Sequence, residues 1–201
     1  MGVKTTTSPN AEPLDLAEVK AHLRVDHDDQ DLLIQGLITA SREFAENYTQ
    51  RSFITQEITQ THDCFPNGSR PDDTRIIELE KGPVQAVLAV QYFDEVAGAY
   101  ATIDPADYQV SLTSDNKDRL APAPGKNWPS TNPERLDAVK IRSRCGYGGT
   151  GALVPRQARN AMLMLIALWY ANPEAFLLAQ QGQEFPVPIG FDALLWSIRS
   201  F

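Results

Sequence analysis

The spacing of apolar residues changes twice along the chain, from a helical period to a strand period and back. Between residues 15 and 50, apolar side chains recur every three or four positions, which is typical of helices with one buried face. From about Ile54 to Tyr147 they alternate with polar side chains, as in a half-buried sheet. The helical period returns after Val154. This order predicts an α+β fold, in which a small core of two N-terminal helices and one C-terminal helix carries an inserted β-rich lobe.

The two N-terminal helices are predicted within residues 14–53, as the first part of the helical core. Asp15 can cap the first helix, and Glu18 stands three residues later, as in a capping box. The second helix begins in the acidic run 28–31, where carboxylates stabilise the positive end of the helix dipole. Its buried stripe is predicted to consist of Leu33, Leu37, Ala40, Phe44 and Tyr48.

The inserted β lobe is predicted to span residues 54–150 and to contain about six to seven short strands. Alternation is clearest in residues 84–92 and 139–145, and segments rich in proline and glycine separate the apolar runs. Residues 1–13 precede the core and are polar, with two prolines, so they are predicted to form a flexible N-terminal tail.

A third helix, within residues 151–179, is predicted to complete the helical core. Pro155 suits the first turn of a helix, and the run from Ala161 to Ala171 is apolar on every side. Such a helix must be covered all round, by its own domain or by a neighbouring chain. Residues 180–201 are predicted to be a linker rich in Gln, Gly and Pro, followed by a short anchor helix.

Charge and cysteine content narrow the possible functions. The formal net charge is −8, so phosphate backbones repel the chain unless its basic residues are segregated. Cys64 and Cys145 lack CxxC spacing and are predicted to be free thiols in a reducing compartment. The longest apolar run is far shorter than the roughly 20 residues of a membrane span, so no membrane contact is expected.

Three motifs suggest chemistry, but their spacing or context is wrong. Gly146–Gly151 spells GxGxxG, yet the strand before it has a basic face and no strand follows the next helix, so no dinucleotide-binding unit is predicted. The acidic run from Asp26 lacks the glycine and glutamate of a calcium loop. His22, His27 and His62 lack zinc-ligand spacing. No catalytic residue, cofactor or metal ion is therefore predicted.

Two surfaces are candidates for binding a partner. Lys140, Arg142 and Arg144 form a basic row on one face of a strand, which is either simply solvated or contacts an acidic subunit or passing DNA. The second surface is the apolar side of the C-terminal segment. It either folds back onto its own core or anchors in a groove of another protein, with aromatic side chains dominating the affinity.

Several segments occur in an order and at a spacing that resemble one known family. They are Leu14–Asp26 with Asp28 and Asp29, Leu32–Tyr48 followed by Thr49-Gln50-Arg51, Asp107–Val110, Pro122–Pro129, Arg144–Gly148 before Val154-Pro155, Ala161–Tyr170, and Ile189–Leu195. Together they resemble the head–tail connector, or adaptor, proteins of tailed bacteriophages and gene transfer agents. The resemblance covers nearly the whole chain after residue 13.

This resemblance implies a structural subunit of a virion rather than an enzyme. Members of the family form a ring, typically of twelve copies, between the portal protein and the tail-proximal stopper, with DNA only as passing cargo. The particle is assembled in the bacterial cytoplasm. The C-terminal segment of such proteins docks into the portal, which assigns portal binding to Phe191, Leu194, Leu195, Trp196, Ile198, Arg199 and Phe201.

Two other functions remain open at this stage. One is a hydrolase or a carbohydrate-binding module built on the β lobe, which would use paired carboxylates and an exposed Trp128. The other is a nucleic-acid-binding assembly factor that uses the basic row, and its binding would weaken steeply with added salt.

Overall fold

The computed structural model describes residues 2–66, 75–113, 118–132, 134–173 and 189–199, which belong to two units. The β unit is formed within residues 1–9 and 55–147. The helical unit is formed within residues 10–54 and 148–201. The described residues combine helices with two antiparallel sheets, which confirms the predicted α+β class.

The helical unit contains four helices among its described residues. They are α1 (Leu16–Leu23), α2 (Asp31–Thr49), α3 (Arg156–Ala171) and α4 (Ile189–Trp196). The Asp15 carboxylate accepts a hydrogen bond of 2.7 Å from the Glu18 backbone N–H, so the predicted cap of α1 is confirmed. Both α1 and α2 end at a residue in the left-handed conformation, Arg24 and Gln50. None of the described helices is long and apolar enough to cross a membrane.

The buried face of α2 differs from the predicted stripe. Ile34, Ile38 and Ala45 are buried together with Leu37, whereas Leu33 is 50% exposed. The buried sector also contains four polar residues, Ser41, Arg42, Glu46 and Thr49. A count of apolar positions leaves such residues out, so the predicted stripe is rotated toward the edge of the true interface.

Arg42 links two carboxylates inside the helical unit. Its Nε donates to Glu12 at 2.8 Å, and its Nη1 donates to Glu46 at 3.1 Å. The second oxygen of Glu46 accepts the backbone N–H of Phe53 at 2.6 Å. Burial alone would lower the pKa of Arg42, but the hydrogen bond that Arg42 donates to Glu12 and the charges of Glu12, Glu46 and Glu43 outweigh it and raise the pKa. The segment before α1 and the segment after α2 are thereby both tied to α2.

A single β-bridge joins the two ends of the helical unit's long interruption. Ile54 and Gly148 pair in parallel, one residue before and one residue after the part of the chain that forms the β unit. Ile54 is fully buried. The chain therefore leaves and re-enters the helical unit at neighbouring points.

The β unit contains two antiparallel sheets in its described part. The five-stranded sheet has the order β1-β2-β8-β4-β5, and the three-stranded sheet has the order β3-β7-β6. The strands are β1 (Gly2–Thr7), β2 (Gln56–His62), β3 (Ile77–Glu78), β4 (Val84–Asp94), β5 (Ala99–Thr102), β6 (Tyr108–Ser111), β7 (Arg119–Pro122) and β8 (Val139–Cys145). Their shared core includes Ile58, Val90, Leu120, Val139 and Ile141.

Strand β1 corrects the prediction of a flexible tail. Residues 2–7 pair with β2 in an antiparallel ladder, although all six of their side chains are exposed. Thr6 and Thr59 also share a hydrogen bond of 2.6 Å between their hydroxyls. Alternation of apolar and polar residues cannot reveal a strand that buries nothing, because the ladder uses only main-chain groups. Beyond β1, Pro13 and Leu14 are buried in the helical unit.

Asp118 joins the two sheets of the β unit. Its carboxylate accepts hydrogen bonds from the backbone N–H groups of Val84 at 2.7 Å and Thr113 at 2.8 Å. Its own carbonyl accepts the N–H of Leu79 at 2.8 Å. The residue is only 4% exposed. Its carboxylate takes the place of a main-chain acceptor for backbone N–H groups at the ends of strands.

Candidate interaction surfaces

The C-terminal helix α4 packs against its own unit. Phe191 and Leu195 are completely buried. The Phe191 ring centroid lies 5.7 Å from that of Phe44 and 5.3 Å from that of Tyr48. At Gly190, an added Cβ would come within 2.9 Å of Met164, so α4 lies very close to α3. Of the two interpretations of this segment, folding back is what the described residues adopt.

The packing of α4 also covers part of α3, which is apolar on every side from Ala161 to Ala171. Six of its apolar side chains are buried: Ala158, Ala161, Met162, Leu165, Ile166 and Trp169. Trp169 meets Phe44 of α2 edge-on, with ring centroids 6.0 Å apart. Leu163, Met164, Ala167 and Leu168 remain half-buried. The helix is thus covered mainly by helices of its own chain.

The outer side of α4 remains accessible. Trp196 is 60% exposed, and Leu194 and Ile198 are partly exposed. The Arg199 guanidinium lies 5.1 Å from the ring centroid of Tyr48. Burial raises the pKa of Tyr48, the hydrogen bond to Asp192 raises it further, and Arg199 opposes the shift. Phe201 and the predicted linker over 180–188 lie outside the described residues.

The basic row lies on the outer face of β8. Val139, Ile141, Ser143 and Cys145 point into the core and alternate with the basic residues. The Lys140 ammonium lies 3.7 Å from the Tyr100 ring centroid. Arg142 and Arg144 both contact the Glu57 carboxylate, at 3.2 Å and 3.8 Å. The side chains of the row are therefore held in place by contacts, and one carboxylate pairs with two guanidinium groups.

Lys4 extends this basic face onto β1. The register pairs Lys4 with Thr59 and Thr59 with Arg142. Residues directly opposite each other in an antiparallel sheet share a face, so Lys4 and Arg142 lie on the same side. Sequence reasoning missed Lys4, since the segment that carries it was not predicted to be a strand.

The acidic run before α2 has a structural role. Lys20 binds Asp28 at 2.6 Å and Asp31 at 2.8 Å, which fastens α1 to the start of α2. The hydrogen bonds to these two carboxylates raise the pKa of Lys20, and the bond from Lys20 lowers the pKa of Asp28. Among the residues that the structure describes, no group of three or more His, Cys, Asp or Glu is placed to hold a metal ion.

The GxGxxG segment serves close packing. A Cβ at Gly148 would lie 2.1 Å from the Leu153 Cδ1, and a Cβ at Gly151 would lie 2.2 Å from the Pro13 carbonyl oxygen. β8 pairs antiparallel with both β2 and β4, so the parallel βαβ unit of a dinucleotide site is not formed here. The glycines allow two chain segments to approach each other.

Trp128 is not the exposed platform that a carbohydrate-binding module would use. Its ring stacks on Phe65, with centroids 4.7 Å apart and planes 9° apart. Its Nε1 donates to the Arg75 carbonyl at 2.9 Å. An open cleft of about 410 Å³ lies beside this pair and includes Cys64. One face of the indole is therefore occupied by the protein itself, contrary to the prediction of an exposed ring.

The two cysteines are free, as predicted. Cys64 is exposed and Cys145 is buried. Burial raises the pKa of the Cys145 thiol to about 11. Cys145 is therefore a packing residue that stays protonated at neutral pH.

Comparison with known proteins tests the resemblance found in the sequence. Residues 13–100 match the model of the phage gp6-like head–tail connector protein family. The resemblance to head–tail connector proteins is confirmed. No curated protein matches the chain.

Chains in solved structures of gene transfer agent particles have the same fold. A chain in the neck of an empty gene transfer agent particle, computed with C6 symmetry, matches with a TM-score of 0.77 at 20% identity. A chain in the virion of a native gene transfer agent particle matches equally well. Each match covers 100% of this chain and 96% of the other. A chain in a native neck computed with C12 symmetry matches with a TM-score of 0.69 at 18% identity and the same coverage. The likeness spans both units.

Proposed function

We propose that this protein is a connector subunit that joins the portal of a phage-like particle to the tail-proximal stopper. The observation that carries the proposal is the match of residues 13–100 to the gp6-like connector family. The fold shared over the whole chain with components of gene transfer agent particles supports it. The protein acts by assembly rather than by catalysis, and its site of action is the virion after assembly in the bacterial cytoplasm.

Copies of the chain form a ring in this proposal, with twelve subunits as the expected number. The C6 and C12 symmetries used for the similar neck structures support a closed ring of this kind. Each contact in such a ring can be weak, because simultaneous engagement of many copies on one portal multiplies the effective affinity. DNA passes the ring as cargo.

Portal binding is assigned to the exposed side of α4 and the residues that follow it. Trp196 is the proposed anchor, since a large, exposed aromatic side chain dominates many interfaces once it enters a pocket. Leu194, Ile198, Arg199 and Phe201 are proposed to contribute to the same interface. Phe191 and Leu195, which are buried, hold α4 in position and act only indirectly.

The basic row of Lys140, Arg142 and Arg144 is proposed to contact an acidic surface of a neighbouring subunit. Glu57 already binds both arginines, so the row accommodates carboxylates between its cations. The net charge of −8 disfavours DNA, with its high density of phosphate charge, as the partner of this small patch. Replacing Arg142 and Arg144 by Glu should reduce ring formation at low salt. DNA retention by the unaltered protein that falls steeply with salt would instead indicate a DNA contact.

The decisive experiment mixes the purified chain with portal rings and examines the product by electron microscopy. We expect a ring of this protein on one end of the portal, and its absence would contradict the proposal. Truncation after Gln181 is a poor test, because it also removes Phe191 and Leu195 from the core. The substitution Trp196→Ala changes a side chain that is 60% exposed, and Leu136→Ala, at an exposed position in the other unit, is the control.

A further inference from the structure

The first strand of the five-stranded sheet is held unusually lightly. All six residues of β1 are exposed, so the strand contributes no side chain to the core. Its attachments are the main-chain ladder to β2, the Thr6–Thr59 hydrogen bond, and a long contact of 3.4 Å from the Thr61 hydroxyl to the Gly2 carbonyl. The ladder also carries an irregularity between Thr5 and Thr7. Hydrophobic burial, the main force that fixes strand register, is missing here.

The chain directly after β1 is held firmly. Glu12 binds the Nε of buried Arg42 at 2.8 Å and the Thr39 hydroxyl at 3.0 Å. Leu14 is buried, and Gly151 packs against the Pro13 carbonyl. Between Thr7 and Glu12 lies a short connection that includes Pro9. The strand is thus an arm that a short hinge joins to a fixed point in the helical unit.

We propose that β1 is exchanged between neighbouring copies in the assembled ring, so that residues Gly2–Thr7 of one copy pair with β2 of the next. This inference rests on the proposed connector function, which supplies the neighbouring copy. Edge strands whose register is not fixed by a buried face are prone to pairing with another chain and to domain swapping.

The occupant of the β2 edge must be a second copy of this chain. An identical arm restores the same ladder, the same Thr6–Thr59 hydrogen bond and the same position of Lys4 beside Thr59. Exchange therefore leaves the local contacts unchanged. Its main free-energy cost is the entropy lost when the two copies are held together. A different peptide would have to match a register that no buried side chain defines.

The length of the hinge limits the exchange to adjacent subunits. Five residue steps separate Thr7 from Glu12, and a fully extended chain covers at most about 18 Å over that number. An arm of this reach cannot pass over one subunit to the next but one. Exchange in one direction around a closed ring would link every copy to its neighbour.

The test uses disulfides that only an exchanged arm can form. In a Cys64→Ser background, one preparation carries Thr6→Cys and a second carries Thr59→Cys. The wild-type hydroxyls lie 2.6 Å apart, so cysteines at these positions are within reach of a disulfide. The two preparations are mixed, assembled on portal rings, oxidised, and separated on a denaturing gel without reductant. A control mixture pairs Thr59→Cys with Val96→Cys, whose side chain is 99% exposed and lies outside the arm.

We expect a disulfide-linked dimer at least tenfold above the control mixture. A chain that carries both Thr6→Cys and Thr59→Cys should yield a ladder of covalent multimers from assembled rings. Rings seen by electron microscopy with dimer no higher than the control, and with the double variant running as a monomer, would overturn arm exchange and leave the connector function standing. Failure to form rings would reject the connector function and, with it, the exchange.

Discussion

Arg42 and Glu46 form an ion pair one turn apart on α2, with both side chains almost completely buried. Their nearest atoms are 3.1 Å apart, and Arg42 as a whole is 6% exposed. Glu12 binds the same guanidinium from the segment before α1, and Glu46 also binds the N–H of Phe53 beyond α2. The pair thus connects three segments of the helical unit: the segment before α1, α2 itself and the segment after α2.

Arg42→Met should destabilise the helical unit by about 3 kcal/mol, because two carboxylates would lose the cation that compensates their burial. The measurement is chemical unfolding followed by far-ultraviolet circular dichroism. Lys126→Met is the matched control, since Lys126 pairs with Asp107 on an exposed surface and should change little. Equal stabilities of the two variants would contradict the role given to Arg42.

Gly151→Ala should lower stability by more than about 2 kcal/mol, because the new Cβ would overlap the backbone of Pro13. Gly149→Ala should be nearly neutral, since no atom lies within 4 Å of its Cβ position. Thermal unfolding of both variants distinguishes packing from phosphate binding. A nucleotide that raised the melting temperature of the parent protein would contradict the packing interpretation.

Asp118→Ala should destabilise the β unit by about 2–4 kcal/mol, because two backbone N–H groups lose their acceptor in a buried site. Asp104→Ala removes a comparable contact to the Ala106 N–H at an exposed turn. We expect this control to cost less than about 1 kcal/mol. Hydrogen exchange at Val84 and Thr113 should accelerate in the first variant only.

Trp196→Ala and Phe191→Ala should separate binding from folding. The first should weaken portal binding at least tenfold and lower stability far less than the second, because Trp196 is 60% exposed. The second should lower stability by about 3–5 kcal/mol, because it leaves a cavity beside Phe44 and Tyr48. Unchanged portal binding by the Trp196 variant would remove this residue from the interface.

Cysteine reactivity should differ sharply between the two thiols. At pH 8 one thiol per native chain, that of Cys64, should react with a small disulfide reagent, and unfolding should expose the second. Burial raises the pKa of Cys145 from 9.0 to about 11, so the folded state favours the protonated thiol. Its contribution to stability is complete below pH 9.0 and is lost as the pH rises toward about 11. Cys145→Ser should flatten this part of the stability profile.

Elements with a strong apolar period could be predicted from the sequence. β8 occupies the predicted residues 139–145, and α3 begins directly after Pro155, because each has a buried face that the spacing of apolar residues reveals. β1 was missed for the opposite reason, since its side chains face solvent on both sides. Main-chain pairing alone does not produce a pattern of apolar and polar residues in the sequence.

Contacts between distant parts of the chain were also beyond sequence reasoning. Asp118 and Val84 are 34 residues apart, and Glu12 and Arg42 are 30 apart. Nothing in the local pattern indicates which acidic residue becomes buried. The same holds for the candidate interface. The sequence shows that the C-terminal segment is apolar, but only the packing on Phe44 and Tyr48 shows that Phe191 is buried whereas Trp196 is exposed.

The bridge between Ile54 and Gly148 brings together the two ends of the excursion over residues 55–147, which supplies every strand of the β unit except β1. Because the two ends of this long excursion meet at one pair of residues, the helical unit is indifferent to how many residues lie between them. Evolution can enlarge, trim or exchange the excursion without refolding the helices. Such an arrangement lets the helical unit keep one binding partner while the excursion changes to fit another.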